Sequence, residues 1–363
     1  MPSTSVPGLP AVKRTKDQAM HIGARLEDRI HSYRMNAARK HGGVQTVLSF
    51  TGYGSTSWVR VLGRVVVAKP GKLSAPSGGS AQALRDGVRG WRNFISPPVN
   101  DAVVCIEVGE EKHLVTADRG GVIDVVIPVS LAPGWQSVTL RPEAEPDAAS
   151  VASPVYIVDP AAKTGVISDI DDTIMVTALP RPLLAAWNTF VLDEHARTPT
   201  PGMAVLMDRL VRENDGGPVF YLSTGAWNVA STLTRFITRN LYPAGPLLLT
   251  DWGPTRDRWF RSGPEHKRTQ LERLAREFPD ISWLLIGDNG QHDEAIYADF
   301  SRTHPGNVRA VAIRELSPSE AVLAGGRSSG PGAPPRDIPW IYAPDGAGMS
   351  RQLMEKGLLP DAG

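Results

Sequence analysis

Cysteine is almost missing from this chain: Cys105 stands alone in the alternating run AVVCIEV, so no internal disulfide can form. That excludes the disulfide-stapled secreted scaffolds and makes the cytoplasm the expected compartment. Long apolar runs are missing too, since nothing approaches the roughly 18 uncharged residues that a membrane span requires. The opening stretch MPSTSVPGLPAVKRTK lacks an apolar core of signal-peptide length. Charge of one sign is not in excess either. The net charge of +1 gives no global case for a nucleic-acid partner, so any basic surface has to be local. Nothing in the composition calls for an obligate protein partner. Lysine is scarce, at nine of 39 basic residues, which gives weight to wherever a lone lysine stands. What remains is an ordinary globular balance, 41% hydrophobic and 21% charged over 363 residues, enough for two domains.

The patterning changes along the chain and divides it into five parts. Residues 1–43 contain a basic amphipathic helix, with Ile22, Leu26, Ile30, Tyr33 and Ala37 on one stripe. Its apolar stripe either packs on the neighbouring domain or lies against an anionic membrane surface, a peripheral contact on the inner face. Residues 44–160 alternate with period two in short runs such as VQTVLSF, WVRVLGRVVVAK and VIDVVIPV, parted by turn signals, which predicts a β-sandwich-like domain. Residues 161–316 interleave apolar strands (GVIS, PVFYLS, PLLLT, SWLLIG, VRAVAI) with helical patterns near 202–213, 227–240, 265–278 and 292–300. Continuously apolar strands alternating with helices predict an α/β domain with a doubly wound parallel sheet. Residues 317–336 read as a Pro/Gly/Ser linker. Residues 337–363 read as a strand and helix that fold back on a neighbour.

Ligands of open parallel sheets collect at the carboxyl ends of the strands. There the first strand delivers Asp169, Asp171, Asp172 and Thr173, the second Ser223 and Thr224, and the fourth Asp288, Asn289 and Asp293. Lys267 opens a helix between them, the one lysine between Lys163 and Lys356. Carboxylates from two strand ends (Asp169, Asp171, Asp288, Asp293) make a hard, all-oxygen site suited to Mg²⁺. A hydroxyl from Ser223 and the ammonium of Lys267 suit phosphoryl oxygens. An aspartate beside phosphorus can attack it, and a carboxylate two residues on, on the same side of an extended backbone, can serve the leaving oxygen as general acid. The set reads as phosphoryl transfer.

In this order DIDDT, YLST, Lys267 and GDNGQHD resemble the four motifs of haloacid dehalogenase (HAD) superfamily phosphatases. The longer stretches ISDIDDTIMVT, FYLSTGAWN and LLIGDNGQHDEAIYADF resemble the actin-patch type phosphatidate phosphatase catalytic domain more narrowly. The resemblance implies a HAD-like sheet, Mg²⁺, and hydrolysis of phosphatidate or a related phospholipid to diacylglycerol. It also implies roles: Asp169 as nucleophile and metal ligand, Asp171 as general acid/base, and Thr173 as the residue that steadies their loop. Ser223 becomes the phosphate-binding hydroxyl, Lys267 the motif-three lysine, Asp288 a metal ligand and Asp293 an accessory acid. The second motif departs from that pattern, reading STGAWN without a proline before the tryptophan.

Plainer readings stand beside several of these residues. Thr224, on the substrate side with Ser223, can equally cap backbone, and Asp172 is expected to face away or cap the next turn. His195, His266 and His292 are expected as surface or capping residues. Arg256, Arg258 and Arg261 either grip a second anion or form a solvated basic loop. About forty-five residues separate the first two motifs, too few for a large lid. The alternative functions are a phosphatase of another large substrate, such as a nucleic-acid end, and a non-catalytic scaffold at a membrane surface.

Overall fold

The computed structural model describes residues 40–68, 96–177, 197–213, 216–250, 263–290, 292–323 and 335–361. The expected N-terminal helix, the central part of the linker, His195 and Arg256, Arg258 and Arg261 lie outside the described residues.

All seven period-two runs form strands: β1 (Val44–Ser55), β2 (Trp58–Ala68), β3 (Val103–Val108), β4 (Glu111–Thr116), β5 (Val122–Pro128), β6 (Gly134–Pro142) and β7 (Val151–Ile157). They hydrogen-bond in the order β4-β3-β6-β7-β1-β2-β5 as one sheet, not the two layers of a sandwich. The physical reason is a single parallel pairing. Gly52–Gly54 of β1 lies against Val155–Ile157 of β7 and joins what would otherwise be a four-stranded and a three-stranded sheet. Alternate residues of the strands then point to one shared core: Val59 and Val61, Val65 and Val67, Val104 and Ile106, Val138 and Leu140, Val155 and Ile157. A single sheet with one enclosed face has to curl on itself, giving a near-barrel.

The α/β part begins with β8 (Thr164–Asp169) and a small ribbon of β9 (Met175–Thr177) with β10 (Arg197–Pro199). Next come α1 (Met203–Glu213), β11 (Val219–Ala226), α2 (Ala230–Arg239), β12 (Leu247–Thr250) and α3 (Gly263–Glu277). β13 (Ser282–Asp288), α4 (Asp293–Thr303), β14 (Val308–Arg314) and α5 (Pro318–Leu323) continue it, then β15 (Trp340–Ala343) and α6 (Gly346–Glu355). Six strands pair in the order β12-β11-β8-β13-β14-β15, and every pairing is parallel. The last of them belongs to the segment after the linker. That tail does fold back on a neighbour, and the neighbour is the parallel sheet itself, along Val311–Arg314.

Both faces of this sheet are covered. Met203, Leu206, Met207 and Leu210 of α1 pack on one side with Leu233 and Phe236 of α2 and Met349 and Leu353 of α6. Leu271 and Leu274 of α3 and Ile296, Tyr297 and Phe300 of α4 pack on the other. The three- and four-residue spacing of these apolar positions is what makes the helices amphipathic. The second core also takes in Tyr53 and Leu62 from the seven-stranded sheet. Tyr53 meets Phe220 edge-on at 5.0 Å, and its hydroxyl donates to Glu277 Oε2 at 2.8 Å. Phe50 stacks on Trp227 with ring centroids 4.3 Å apart. No helix among the described residues is long and apolar enough to cross a membrane.

Candidate active site

The chain runs from β8 outward to β11 and β12, then returns to β13 on the other side of β8. That reversal opens the crevice where open α/β sheets bind ligands. Asp169 ends β8 and Asp288 ends β13, so the two carboxylates come from adjacent strands. Asp293 begins α4, where a negative charge suits the helix N-terminus. Gly287 allows that approach, because a Cβ there would lie 2.6 Å from Asp293 Oδ2 and 2.7 Å from the Tyr297 ring.

Asp169, Asp288 and Asp293 each bring a carboxylate oxygen within 4.8 Å of the others, and all three are buried. Lys267 enters from the fifth position of α3, close to the end where the helix dipole disfavours a cation. The carboxylates account for it: Nζ lies 2.7 Å from Asp169 Oδ1 and 2.5 Å from Asp293 Oδ1. Burial works against a charged Lys267, but Asp169, Asp293 and Asp288 overcome it and hold the ammonium well above its usual range. Burial raises the Asp169 carboxyl, Lys267 opposes the rise, and Asp293, Asp288 and Asp171 add to it. Asp288 is pushed up to about 8, first by burial and then by Asp293, with Lys267 pulling the other way.

This cluster fits a divalent cation. With all three carboxylates ionised, as ion binding would require, one ammonium leaves two negative charges in a buried space, which a divalent ion would balance. Asp288 Oδ1 accepts from the Gly290 amide at 2.7 Å, whereas buried Asp288 Oδ2 has no hydrogen-bond partner. An all-oxygen set of this kind suits Mg²⁺.

Asp171 lies outside that trio. Its Oδ2 accepts from Ser223 Oγ at 2.9 Å, and Ser223 Oγ in turn accepts from the Gly225 amide at 2.9 Å. The Asp171–Ser223 pair therefore forms a second polar group beside the carboxylate cluster. Thr173 is buried and donates to Asp169 Oδ2 at 3.2 Å. The Thr224 methyl packs where a Cβ on Gly263 would sit, 2.7 Å away, so this residue abuts the start of α3. Trp227 comes next on a short 3-10 turn and stacks on Phe50.

Some expectations are corrected. Asp172 does not face away: it is 8% exposed, in the left-handed region at φ 57°, and its carbonyl accepts from Arg314 Nη1 at 2.8 Å. His266 is buried on α3 with its Nε2 3.3 Å from the Leu248 carbonyl, so it is a core residue. His292 does precede α4, without a side-chain cap bond. Asn289 splints the site from behind, its amide donating to the Arg314 carbonyl and its Oδ1 accepting from the Leu316 amide. Sequence reading overlooked Tyr297 and Arg314. Tyr297 donates to the Ile286 carbonyl at 3.1 Å and lies along Gly287, and helical spacing alone marks it as core. Arg314 carried a usable signal, an arginine at the carboxyl end of the fifth strand.

Residues 164–315 match the family of catalytic domains described as "Phosphatidate phosphatase APP1, catalytic domain". That segment is similar to APP1-type catalytic domains. Over 207 residues the chain is 25% identical to "Phosphatidate phosphatase APP1" of Saccharomyces cerevisiae, a match covering 56% of this chain and 35% of that protein. Over 160 residues it is 28% identical to an uncharacterized protein of Schizosaccharomyces pombe, covering 42% of this chain and 25% of that one. The APP1-type match thus spans about a third of the yeast protein and a quarter of the other. Among solved structures, a carbohydrate acetylesterase from Xanthomonas citri aligns over 78% of this chain and 73% of its own, at 11% identity and a TM-score of 0.28. A Parabacteroides merdae β-glucuronidase aligns over 76% of this chain and 34% of its own, at 10% identity and a TM-score of 0.22. Neither is close enough to bear on the fold.

Proposed function

We propose that this chain is an APP1-type, Mg²⁺-dependent phosphoric monoester hydrolase with a HAD-like catalytic domain, acting on phosphatidate or a related phospholipid. The observation that carries the reading is the buried trio Asp169, Asp288 and Asp293, with Lys267 bridging two of its members. The substrate class is taken from the name of the yeast relative. A bound cation would draw charge from the phosphoryl oxygens and ease the repulsion among the three carboxylates.

Lys267 pairs with Asp169 and opposes the effect of burial on its carboxyl, favouring the carboxylate that serves as nucleophile. Asp169 attacks phosphorus, the bond from phosphorus to the glycerol oxygen breaks, and Asp171 supplies the proton that the departing alkoxide needs. The aspartyl-phosphate is then hydrolysed: Asp171, now ionised, takes a proton from water, whose oxygen attacks phosphorus and releases phosphate and the Asp169 carboxylate. Ser223 donates to Asp171 and orients that carboxyl, and its hydroxyl would have to release that bond to donate to the phosphate. Thr173 fixes the rotation of Asp169.

Phosphate release from phosphatidate-containing vesicles, with and without Mg²⁺, tests the proposal. Asp169→Asn is expected to lower turnover by at least about a thousandfold while melting normally, because the residues of such a site act as a unit. Activity retained in that variant would overturn the covalent route. A preference of the wild type for soluble phosphomonoesters would overturn the lipid assignment.

A further inference from the structure

Arg314 is 4% exposed and ends β14 in register with Asp288. An arginine so deeply placed needs partners for its whole planar fork. It has them in three directions. Nη1 donates to the Asp172 carbonyl at 2.8 Å, Nε to the Pro344 carbonyl at 3.2 Å, and Nη2 to Glu320 Oε1 at 2.6 Å. These partners belong to three separate pieces: the turn between Asp171 and Thr173, the β15–α6 junction, and α5.

The turn has a particular need for such a tie. Its own amide bonds, from Thr173, Ile174 and Met175, all converge on the Ile170 carbonyl. Asp172 sits at the apex with φ 57°, a conformation that costs an L-residue energy and persists only when the surroundings enforce it. Asp169 and Asp171, on either side of Ile170, take their directions from this turn. Glu320 completes the anchor: its other oxygen accepts from the Ser317 amide at 2.8 Å, which fixes the acid that fixes Arg314.

We propose that Arg314 is a positioning residue: through the Asp172 carbonyl it holds the 170–174 turn in the form that sets Asp169 against Lys267 and Asp171 against Ser223. Glu320 and Pro344, both beyond the family match at 164–315, are thereby part of the working unit. The turnover consequence rests on the phosphatase reading above; the conformational one does not.

The test uses the full chain as wild type, Arg314→Lys and Glu320→Ala. Hydrogen exchange is followed on peptides spanning 168–176, alongside melting temperature and Mg²⁺-dependent phosphate release. Lysine keeps the charge but cannot reach three acceptors, so Arg314→Lys should speed exchange at the amides of 172–175 by about tenfold to a hundredfold. Exchange in β11 and β13 should stay at wild-type rates. Turnover should fall by a similar factor, with KM within about twofold, since a displaced nucleophile costs rate rather than binding. Glu320→Ala should show the same pattern more weakly, and it also covers the case in which Arg314→Lys does not fold. Wild-type exchange across 172–175 in both variants would overturn the proposal. So would a uniform rise across the whole parallel sheet, which would make Arg314 a general staple. A wild type that hydrolyses no phosphomonoester would sink the phosphatase reading, and the exchange pattern would still decide the role of Arg314.

Discussion

The two sheets bury different things. Inside the seven-stranded sheet the core is valine, isoleucine and leucine, and its strands bury only Gln45 and Ser153 among polar residues. At the carboxyl edge of the parallel sheet, Asp169, Asp172, Asp288, Asp293, Lys267 and Arg314 are all under 9% exposed. Burying an apolar side chain stabilises by about 1.5–3 kcal/mol, whereas each buried charge costs several kcal/mol unless well paired. One half of the chain is therefore arranged for stability. The other gives up stability at a single edge, and that edge is where the chemistry is expected. Mutations should separate the two: in the first half they should cost folding and leave turnover, and at the acidic edge they should do the reverse.

The largest effect is expected at Asp288. Its carboxyl is pushed up to about 8 from an ordinary value of 3.8, so between those limits the folded chain holds a proton that the unfolded chain releases. Stability of the metal-free protein should therefore fall as pH rises from 4 to 8, the direction linkage requires when the native state binds more protons. Asp288→Asn keeps an oxygen for the Gly290 amide and removes the charge. It should flatten that slope, melt higher than the metal-free wild type at pH 8 by about 3 °C, and lose both turnover and the rise in melting temperature on adding Mg²⁺. Thermal melts from pH 5 to 8, with and without Mg²⁺, give the answer. A variant that still responds to the ion like the wild type would remove Asp288 from the cation site.

Ile106 is the counterpart, fully buried in the core of the seven-stranded sheet. Ile106→Ala should cost about 2–5 kcal/mol in denaturant unfolding, the usual range for such a truncation. Turnover per folded molecule should stay within about twofold. A matching loss of turnover would mean that this core supports the site directly.

Much of this was legible from the sequence because the signals are local. Continuous apolar strands, helical spacing and acidic strand ends pointed to the parallel sheet, four of its helices and an edge carrying Asp169, Asp171, Asp288 and Asp293, of which all but Asp171 cluster. What escaped depends on partners far along the chain. The Gly52–Gly54 pairing with Val155–Ile157, which turns a sandwich pattern into one curled sheet, is set by two strands at opposite ends of the β-rich part. Trp340–Ala343 reads as a strand that folds back on a neighbour, but which neighbour is not legible because a linker precedes it, and it supplies the sixth strand of the parallel sheet. Asp172 looked idle because its contribution is a carbonyl, which side-chain chemistry does not announce, and its partner Arg314 lies on another strand. His266 looked like a surface group because one polar residue on a helix face says nothing of what covers it.

The smallest effect should lie where the halves meet. Tyr53 is fully buried, donates to Glu277 at the last position of α3, and packs on Phe220 and Phe278. Tyr53→Phe keeps the packing and deletes one hydrogen bond. Glu277 is still paired with Arg60, which also holds Asp124, and Arg273 on α3 reaches the same Asp124 at 3.0 Å. With that network in place the loss should be about 1 kcal/mol, or about 2 °C in melting temperature. Lys267 stands at the opposite end of α3 from Glu277, so a helix held along its length by Leu271 and Leu274 should keep the ammonium in place and turnover unchanged. A fall in turnover well beyond the loss of stability would mean that the seven-stranded sheet sets the position of Lys267 through α3, and the division between a stable half and a reactive half would give way at this joint.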